Sequence, residues 1–484
     1  MLKQFLKDSL IYGLARFFTS SVQFALIPLY TRVFSPVDYG VLDILNVLST
    51  LALAVLALEI AQALVRYMAD AATPQERTAY TSTALWFCVA AFTGFVVITW
   101  LGAGPISRLL LGVDGQEAIF RAATLAIWGT GIYNLVANQI RFQLRSKLYT
   151  ALNLVDTLLS IGLTILFVLV FHSGISGVFW GGFIASLVAV AWGLYQSRGS
   201  FNWSFDSAKL REMLRFSIPF VPSTIGTLIY LSVDRLTINA LMTKADVGLF
   251  GIGDRIANIV NLLMFGFQIS LTPLIYSHYK EPNTPGQLAR LFQYFAAAAL
   301  LMTTLLSLFA REILAVMTTP QYYAAWPVIP LLVPATILAA MYIFAPGLAL
   351  AKKTGTFAAI NIGGAILNTA LNQVFIRLWG IEGAALATLV SSATVFALFM
   401  FFSQRNYPVP HHWGRLAVGA LGTAALIIIG LPLPSTLPGI LMKVGLLAVN
   451  AGLFLALRFV DARDVNWIRT TLRRRLRPVP ASSE

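Results

Sequence analysis

Residues 10–40 read LIYGLARFFTSSVQFALIPLYTRVFSPVDYG. The run before Ser35 has the length and apolar character of a bilayer span, about 20 residues, yet Arg16 stands inside it. After the SPVDYG turn a second apolar run begins, and it carries Asp43 and Glu59. An ionisable side chain in a span costs roughly 2.5–3.5 kcal/mol on insertion scales, so such groups face a bundle interior or a wet cavity rather than lipid. The hairpin over residues 9–66 therefore reads as the start of a membrane protein with a polar interior, which points to transport.

The rest of the chain extends this pattern. It has 484 residues, 58% of them hydrophobic and only 11% charged, too apolar for a soluble protein of that length. Fourteen spans are expected, at 9–33, 41–65, 80–103, 117–140, 149–171, 177–195, 216–242, 247–277, 289–310, 326–350, 356–378, 382–403, 415–433 and 439–458. The net charge of +14 is explained by short loops. Of the 34 Lys and Arg, 24 fall on the side that holds both termini, 7 on the other, and Arg16, Arg235 and Arg255 lie within spans. By the positive-inside rule both termini are cytoplasmic, and the basic balance implies no nucleic-acid partner. The start MLKQFLKDSL resembles a signal peptide, but the run that follows carries Arg16 and is longer than an ordinary signal core, so it is read as a retained first span. Cys88 is the single cysteine, and none of the four histidines has HExxH spacing, so neither a disulfide framework nor a metal site is expected.

Two halves of the chain repeat. SPVDYGVL at 35–42 matches TKADVGLF at 243–250, with Asp38 and Gly40 meeting Asp246 and Gly248 at a shift of 208. At the same shift Arg145, Tyr149, Ala151 and Asn153 meet Lys353, Phe357, Ala359 and Asn361. Six spans per repeat leave the copies parallel, and substrates of such repeat proteins bind near the midplane between them. The expected architecture is an all-α integral membrane protein of 14 transmembrane helices. Bundles of six helices at 1–195 and 216–403 are joined by a cytoplasmic linker, 196–215, and followed by helices 13 and 14 (404–460) and a basic tail (461–484).

SPVDYG, VDRLTI at 233–238, DVGLFGIGDRI at 246–256 and WGIEGAALAT at 379–388 together resemble the polysaccharide-transport proteins, the O-antigen flippases of the multidrug/oligosaccharidyl-lipid/polysaccharide flippase superfamily. The likeness runs in order along nearly the whole chain. It implies alternating access of two bundles around a central cavity. It also implies an undecaprenyl-diphosphate-linked glycan as substrate, moved from the cytoplasmic to the outer leaflet of a bacterial inner membrane. A polysaccharide polymerase and an initiating glycosyltransferase are the partners implied, beside membrane lipids.

A diphosphate crossing a low-dielectric slab needs cationic partners, and guanidinium matches phosphate bidentately. Arg16 in the first span and Arg255 in the eighth are the expected clamp, with Arg235 and the cavity aromatic Tyr230 as further contacts. Asp234 and Asp254 precede Arg235 and Arg255, and adjacent helix residues do not face each other, so each is expected to pair elsewhere. Asp43, Glu59 and Asp156 are candidates for proton or sodium coupling, because buried carboxylates take up cations; the bland alternative is that each neutralises an arginine, as Glu59 would Arg66. Asn361, Asn368 and Asn372 share a face, for which interhelical hydrogen bonds are the better reading. No other cofactor is expected. A cation-coupled multidrug or metabolite antiporter of the same superfamily is the alternative function. A membrane enzyme is disfavoured, since no loop carries a DxD pair and the longest outer loops are about a dozen residues.

Overall fold

The computed structural model describes residues 26–112, 115–143, 145–261, 264, 275, 279, 281–351 and 353–459, except for the side chains of Tyr230 and Thr354. Among these residues every regular element is a helix. The described chain falls into two compact units.

The first unit holds the described residues up to 255 together with 317–325 and 365–387. A short helix α1 (Ile27–Val33) leads into α2 (Pro36–Ala57). Ser35 starts α2 because its hydroxyl accepts from Asp38 N at 3.2 Å while Asp38 Oδ2 accepts from Ser35 N at 3.0 Å, a reciprocal cap, with Pro36 preset for the first turn. The second span is not one straight helix. Leu58 (φ 45°) and Glu59 (φ 54°) take left-handed backbone, and α3 (Ile60–Asp70) resumes beyond them. Then come α4 (Pro74–Leu101), α5 (Ala103–Leu111), α6 (Glu117–Phe142), α7 (Ser146–Ile165) and α8 (Gly174–Gln196). Helix α8 packs along both α6 and α7, and α6 packs along α4, around a core that includes Phe92, Ile127, Val136 and Leu152.

The polar stretch after α8 was expected only to link. It also builds a helix, α9 (Ser207–Ser217), capped by Asp206, which accepts from Ala208 N and Lys209 N at 2.9 and 3.1 Å. Its polar face binds α4: Tyr80 donates to Glu212 Oε2 at 2.9 Å, and Lys209 lies 3.8 Å from Glu76. Helices α10 (Val221–Leu241) and α11 (Lys244–Ala257) follow.

The second unit holds the described residues of 256–316, 326–364 and 388–459. It contains α12 (Thr284–Leu308), α13 (Ala310–Met317, shared at its last residue with the first unit), α14 (Ile329–Ala340), α16 (Trp413–Gly430) and α17 (Leu437–Ala456). Helix α12 packs against α14, α16 and α17. Buried Asn450 of α17 donates to Thr304 of α12 at 2.5 Å and accepts from Thr423 of α16 at 3.2 Å, and Lys443 of α17 lies 2.6 Å from Glu312. The proline-rich tenth span has the breaks expected of it: 3-10 turns at Pro320–Val328 and Met341–Phe344 flank α14, which carries Pro334.

Helix α15 runs from Thr354 to Asn406, 53 residues. At 1.5 Å per residue a straight helix of that size would be about 80 Å long, far more than the roughly 30 Å of hydrocarbon. Gly380 breaks it, with φ 60° and ψ −137°, a conformation that costs a residue without Cβ little. Gly383 then lies against the carbonyl of Phe375, so the chain folds back, and the break falls between the expected eleventh and twelfth spans. Among the described residues nine helices are long and apolar enough to cross a membrane, ten when the bent pair within 207–241 is taken as one span. The expected fourteen include the first span, which lies largely outside the described residues, and the eighth, which lies partly outside them. Outward faces are strongly apolar: Leu421 is 71% and Ile428 69% exposed. Such surfaces belong in lipid, and the protein is a multi-pass membrane protein.

Candidate functional site

The 208-residue repeat is visible in atomic detail where α2 meets α11. Thr243 and Asp246 cap α11 as Ser35 and Asp38 cap α2: the Asp246 carboxylate accepts from Thr243 N at 3.0 Å, and the Thr243 hydroxyl accepts from Asp246 N at 3.3 Å. The two helices then cross with their backbones in contact. Gly40 lies against the carbonyl of Lys244, and Gly248 against that of Pro36. Pro36 and Lys244 are themselves equivalent at the same shift, so the two contacts are one contact repeated by a local pseudo-two-fold. Gly251 lies against the carboxylate of Asp43, its own equivalent in the other repeat. A second aspartate at 251 would have placed two like charges on that axis; glycine leaves the space to one.

Asp43 is 3% exposed and sits among arginines. Its Oδ1 accepts from Arg255 Nη2 at 2.6 Å, and its Oδ2 lies 3.4 Å from Arg235 Nε. Arg235 also donates through Nη2 to Asp254 Oδ2 at 2.5 Å. Arg255 stacks over the ring of Tyr39, 5.0 Å from its centroid. Tyr39 meets Tyr322 edge-on at 5.9 Å, and Tyr322 donates to the carbonyl of Phe34 at 2.8 Å. On the far side Asp234 accepts from Asn372 Nδ2 at 2.6 Å, and Asn372 is tied to Asn368 at 3.2 Å. The formal charges of Asp43, Asp254, Arg235 and Arg255 sum to zero, so the cluster adds no net charge to the interior.

The structure thus brings Asp43, Arg235 and Arg255 together. The aspartates beside the arginines pair elsewhere, as expected: Asp254 holds Arg235, not Arg255. Glu59 and Asp156 stand apart from this cluster. Glu59 occupies the left-handed break between α2 and α3, and Arg66 pairs with Asp70 at 3.3 Å rather than with Glu59, which corrects that reading. Asp156 is half-buried on α7. Arg16 lies outside the described residues, as does the side chain of Tyr230. Of the asparagine face, Asn368 and Asn372 are buried, but only Asn372 makes an interhelical bond, to Asp234; Asn368 bonds Asn372 within α15, and Asn361 is exposed and bonds its own helix. The sequence reading missed Tyr39 and Tyr322; the single signal for Tyr39 was its place in the SPVDYG turn.

Residues 5–279 match the family profile described as polysaccharide biosynthesis protein. A probable low-salt glycan biosynthesis flippase, Agl15, of Haloferax volcanii is 23% identical over 345 residues, covering 67% of this chain and 71% of the relative. The fold is similar to that of the lipid II flippase MurJ in an inward closed conformation, with a TM-score of 0.70 and 14% identity over 92% of this chain and 98% of that one. It is also similar to an inward-facing multidrug resistance MATE family transporter of the MOP superfamily, with a TM-score of 0.64 and 14% identity over 79% and 93% of the two chains. The two solved structures bear out the expected fold, and the profile match bears out the polysaccharide family to which the motifs pointed.

Proposed function

The chain belongs to the polysaccharide biosynthesis protein family, and we propose that it moves an undecaprenyl-diphosphate-linked oligosaccharide from the cytoplasmic to the outer leaflet of a bacterial inner membrane by alternating access. The product would feed O-antigen, capsule or exopolysaccharide assembly. A polymerase and an initiating glycosyltransferase would act on either side of this step. The glycan flippase of Haloferax volcanii supports the substrate class, and the loop charge supports cytoplasmic termini.

The observation that carries the reading is the pair of arginines closed on Asp43 at the crossing of the two repeats. Arginine is the residue that grips a diphosphate bidentately. With Asp43 in place, both guanidiniums are satisfied and the crossing stays shut. A diphosphate offers them more acceptor oxygens than one carboxylate does, so substrate would displace Asp43 and release α2 from α10 and α11 in the same event. Arg16 would complete the clamp from the first span. In this reading Asp43 is committed to the arginines, and the carboxylates left to take up a proton or sodium are Glu59 and Asp156.

The experiment is complementation with the native glycan. The chain is expressed with the genes for that glycan in a bacterium lacking its flippase, beside an Arg235→Ala/Arg255→Ala double variant at equal membrane abundance. Surface polysaccharide is expected from the parent chain and a loss of tenfold or more from the variant. No surface polysaccharide from the parent chain would overturn the function, and full restoration by the variant would remove the arginines from it. Drug efflux by the parent chain without surface glycan would favour the antiporter.

A further inference from the structure

A cavity lies away from the arginine cluster, at the end of the spans where the positive loops gather. Its volume is about 740 Å³, inside the roughly 300–1,000 Å³ of ordinary ligand pockets. Its polar lining includes Arg77, Thr78 and Thr81 of α4, Gln139, Arg141 and Gln143 at the end of α6, and Ser200 of the linker. Gln139 is 0% exposed, and neither its amide nitrogen nor its amide oxygen has a hydrogen-bond partner among the described residues. A buried amide left without partners costs about 1–3 kcal/mol, so one that persists at a cavity wall asks for a ligand to complete it. Its side chain has the rotatable bonds to turn that amide into the space.

The other groups around this wall are already assigned. Thr81 donates to the carbonyl of Ser200, Gln143 Nε2 donates to the Ser200 hydroxyl at 2.8 Å, and Thr78 reaches the Gly199 carbonyl at 3.5 Å. These bonds fasten the start of the inter-repeat linker across the cavity. Arg77 and Arg141 are exposed and enter no ion pair among the described residues. Two guanidiniums recognise a phosphate, and an amide recognises hydroxyls through both its donor and its acceptor.

We propose that this cavity binds a phosphorylated sugar or polyol, the phosphate held by Arg77 and Arg141 and the hydroxyls by Gln139, at a site separate from the transport path. The occupant bridges α4 and α6 beneath the linker, so its binding stiffens the junction between the repeats. The same chemistry is offered by a soluble sugar phosphate and by the headgroup of an inositol phospholipid.

The test uses the full chain in phosphatidylcholine nanodiscs. Glucose 1-phosphate is titrated calorimetrically, and a second preparation carries phosphatidylinositol in place of the sugar phosphate, read by thermal stabilisation. The variants are Arg77→Gln/Arg141→Gln, on exposed positions whose change leaves the fold intact, and Gln139→Leu and Gln139→Glu. Ligand-free melting confirms that each is folded. The proposal expects binding by one of the two probes, weakened about tenfold or more by the arginine pair and by either Gln139 variant, in keeping with the strength of hydrogen bonds to charged groups. Glucose 1-phosphate binding marks the soluble source; stabilisation by phosphatidylinositol alone marks the lipid. Binding of neither probe, or binding that all variants retain, overturns the site. Because Arg77, Gln139 and Arg141 lie outside the arginine cluster, glycan flipping is read separately and its failure is distinguishable.

Discussion

Asp43 is the residue on which the arginine cluster depends, because it holds two guanidiniums with one carboxylate. Replacing it with asparagine keeps its size but takes the carboxylate from Arg255, since Arg235 keeps Asp254, and leaves the cluster with one excess positive charge. Breaking a buried ion network by removing one partner costs roughly 3–5 kcal/mol. Asp43→Asn is therefore expected to lower the thermal midpoint in detergent sharply. An Asp43→Asn/Arg255→Gln double variant, which removes the excess charge, should recover part of that loss. Equal midpoints for Asp43→Asn and the parent chain would show that the network does not hold the structure together. The participants were legible in the sequence, since a charge inside an apolar run is conspicuous. Their pairing was not, because the partners of Asp43 lie 192 and 212 residues away and meet it only through the fold.

At the scale of elements the crossing of α2 and α11 is set by small residues. Membrane helices gain no hydrophobic advantage from leaving lipid, so close backbone approach supplies the attraction. A Cβ at Gly248 would meet the carbonyl of Pro36. Gly248→Val is expected to force the helices apart and to destabilise by at least the 1–3 kcal/mol or so of an overpacked core, measured as a lower melting midpoint. A midpoint like that of the parent chain would show that the helices do not cross so closely. In the second unit Asn450 joins α12, α16 and α17, and Asn450→Ala should cost about 1 kcal/mol, the scale of an interhelical hydrogen bond in a membrane. The segment between α15 and α16 supplies a pH-dependent term. His411 packs on Phe292 at 4.6 Å and Trp413 at 5.1 Å, and burial, with repulsion from His412, pushes its pKa from 6.5 down to about 4. Its neutral form is the one the fold accepts. Its contribution is therefore whole above the unfolded value and is lost as pH falls from 6.5 toward 4. A His411→Phe variant should melt with a flatter pH dependence over that window; an unchanged slope would assign the dependence to other groups.

For the whole molecule, the sequence carried most of the plan. Apolar length located the nine or ten spans that the described residues show, and the 208-residue shift proved literal at the paired caps and glycine contacts of α2 and α11. The breaks were less legible. Glu59 stood out as a charge in an apolar run, but nothing in the sequence marked it and Leu58 as two non-glycine residues in left-handed backbone that interrupt the span. The linker helix α9 was not expected either, although Leu210, Met213 and Leu214 fall at helical spacing: its apolar face packs on the core of the first unit, and Tyr80 and Glu76 of α4 hold its polar side. The central claim is that a lipid-linked glycan crosses the bilayer through this chain. It is tested most directly in proteoliposomes loaded with an undecaprenyl-diphosphate-linked oligosaccharide carrying a fluorophore, with a membrane-impermeant quencher reporting the leaflet. The account predicts that the parent chain brings label to the quenched leaflet and that Arg235→Ala/Arg255→Ala slows this about tenfold or more at equal reconstitution, the loss of a phosphate clamp. Label that stays in its original leaflet with folded parent chain present would contradict it.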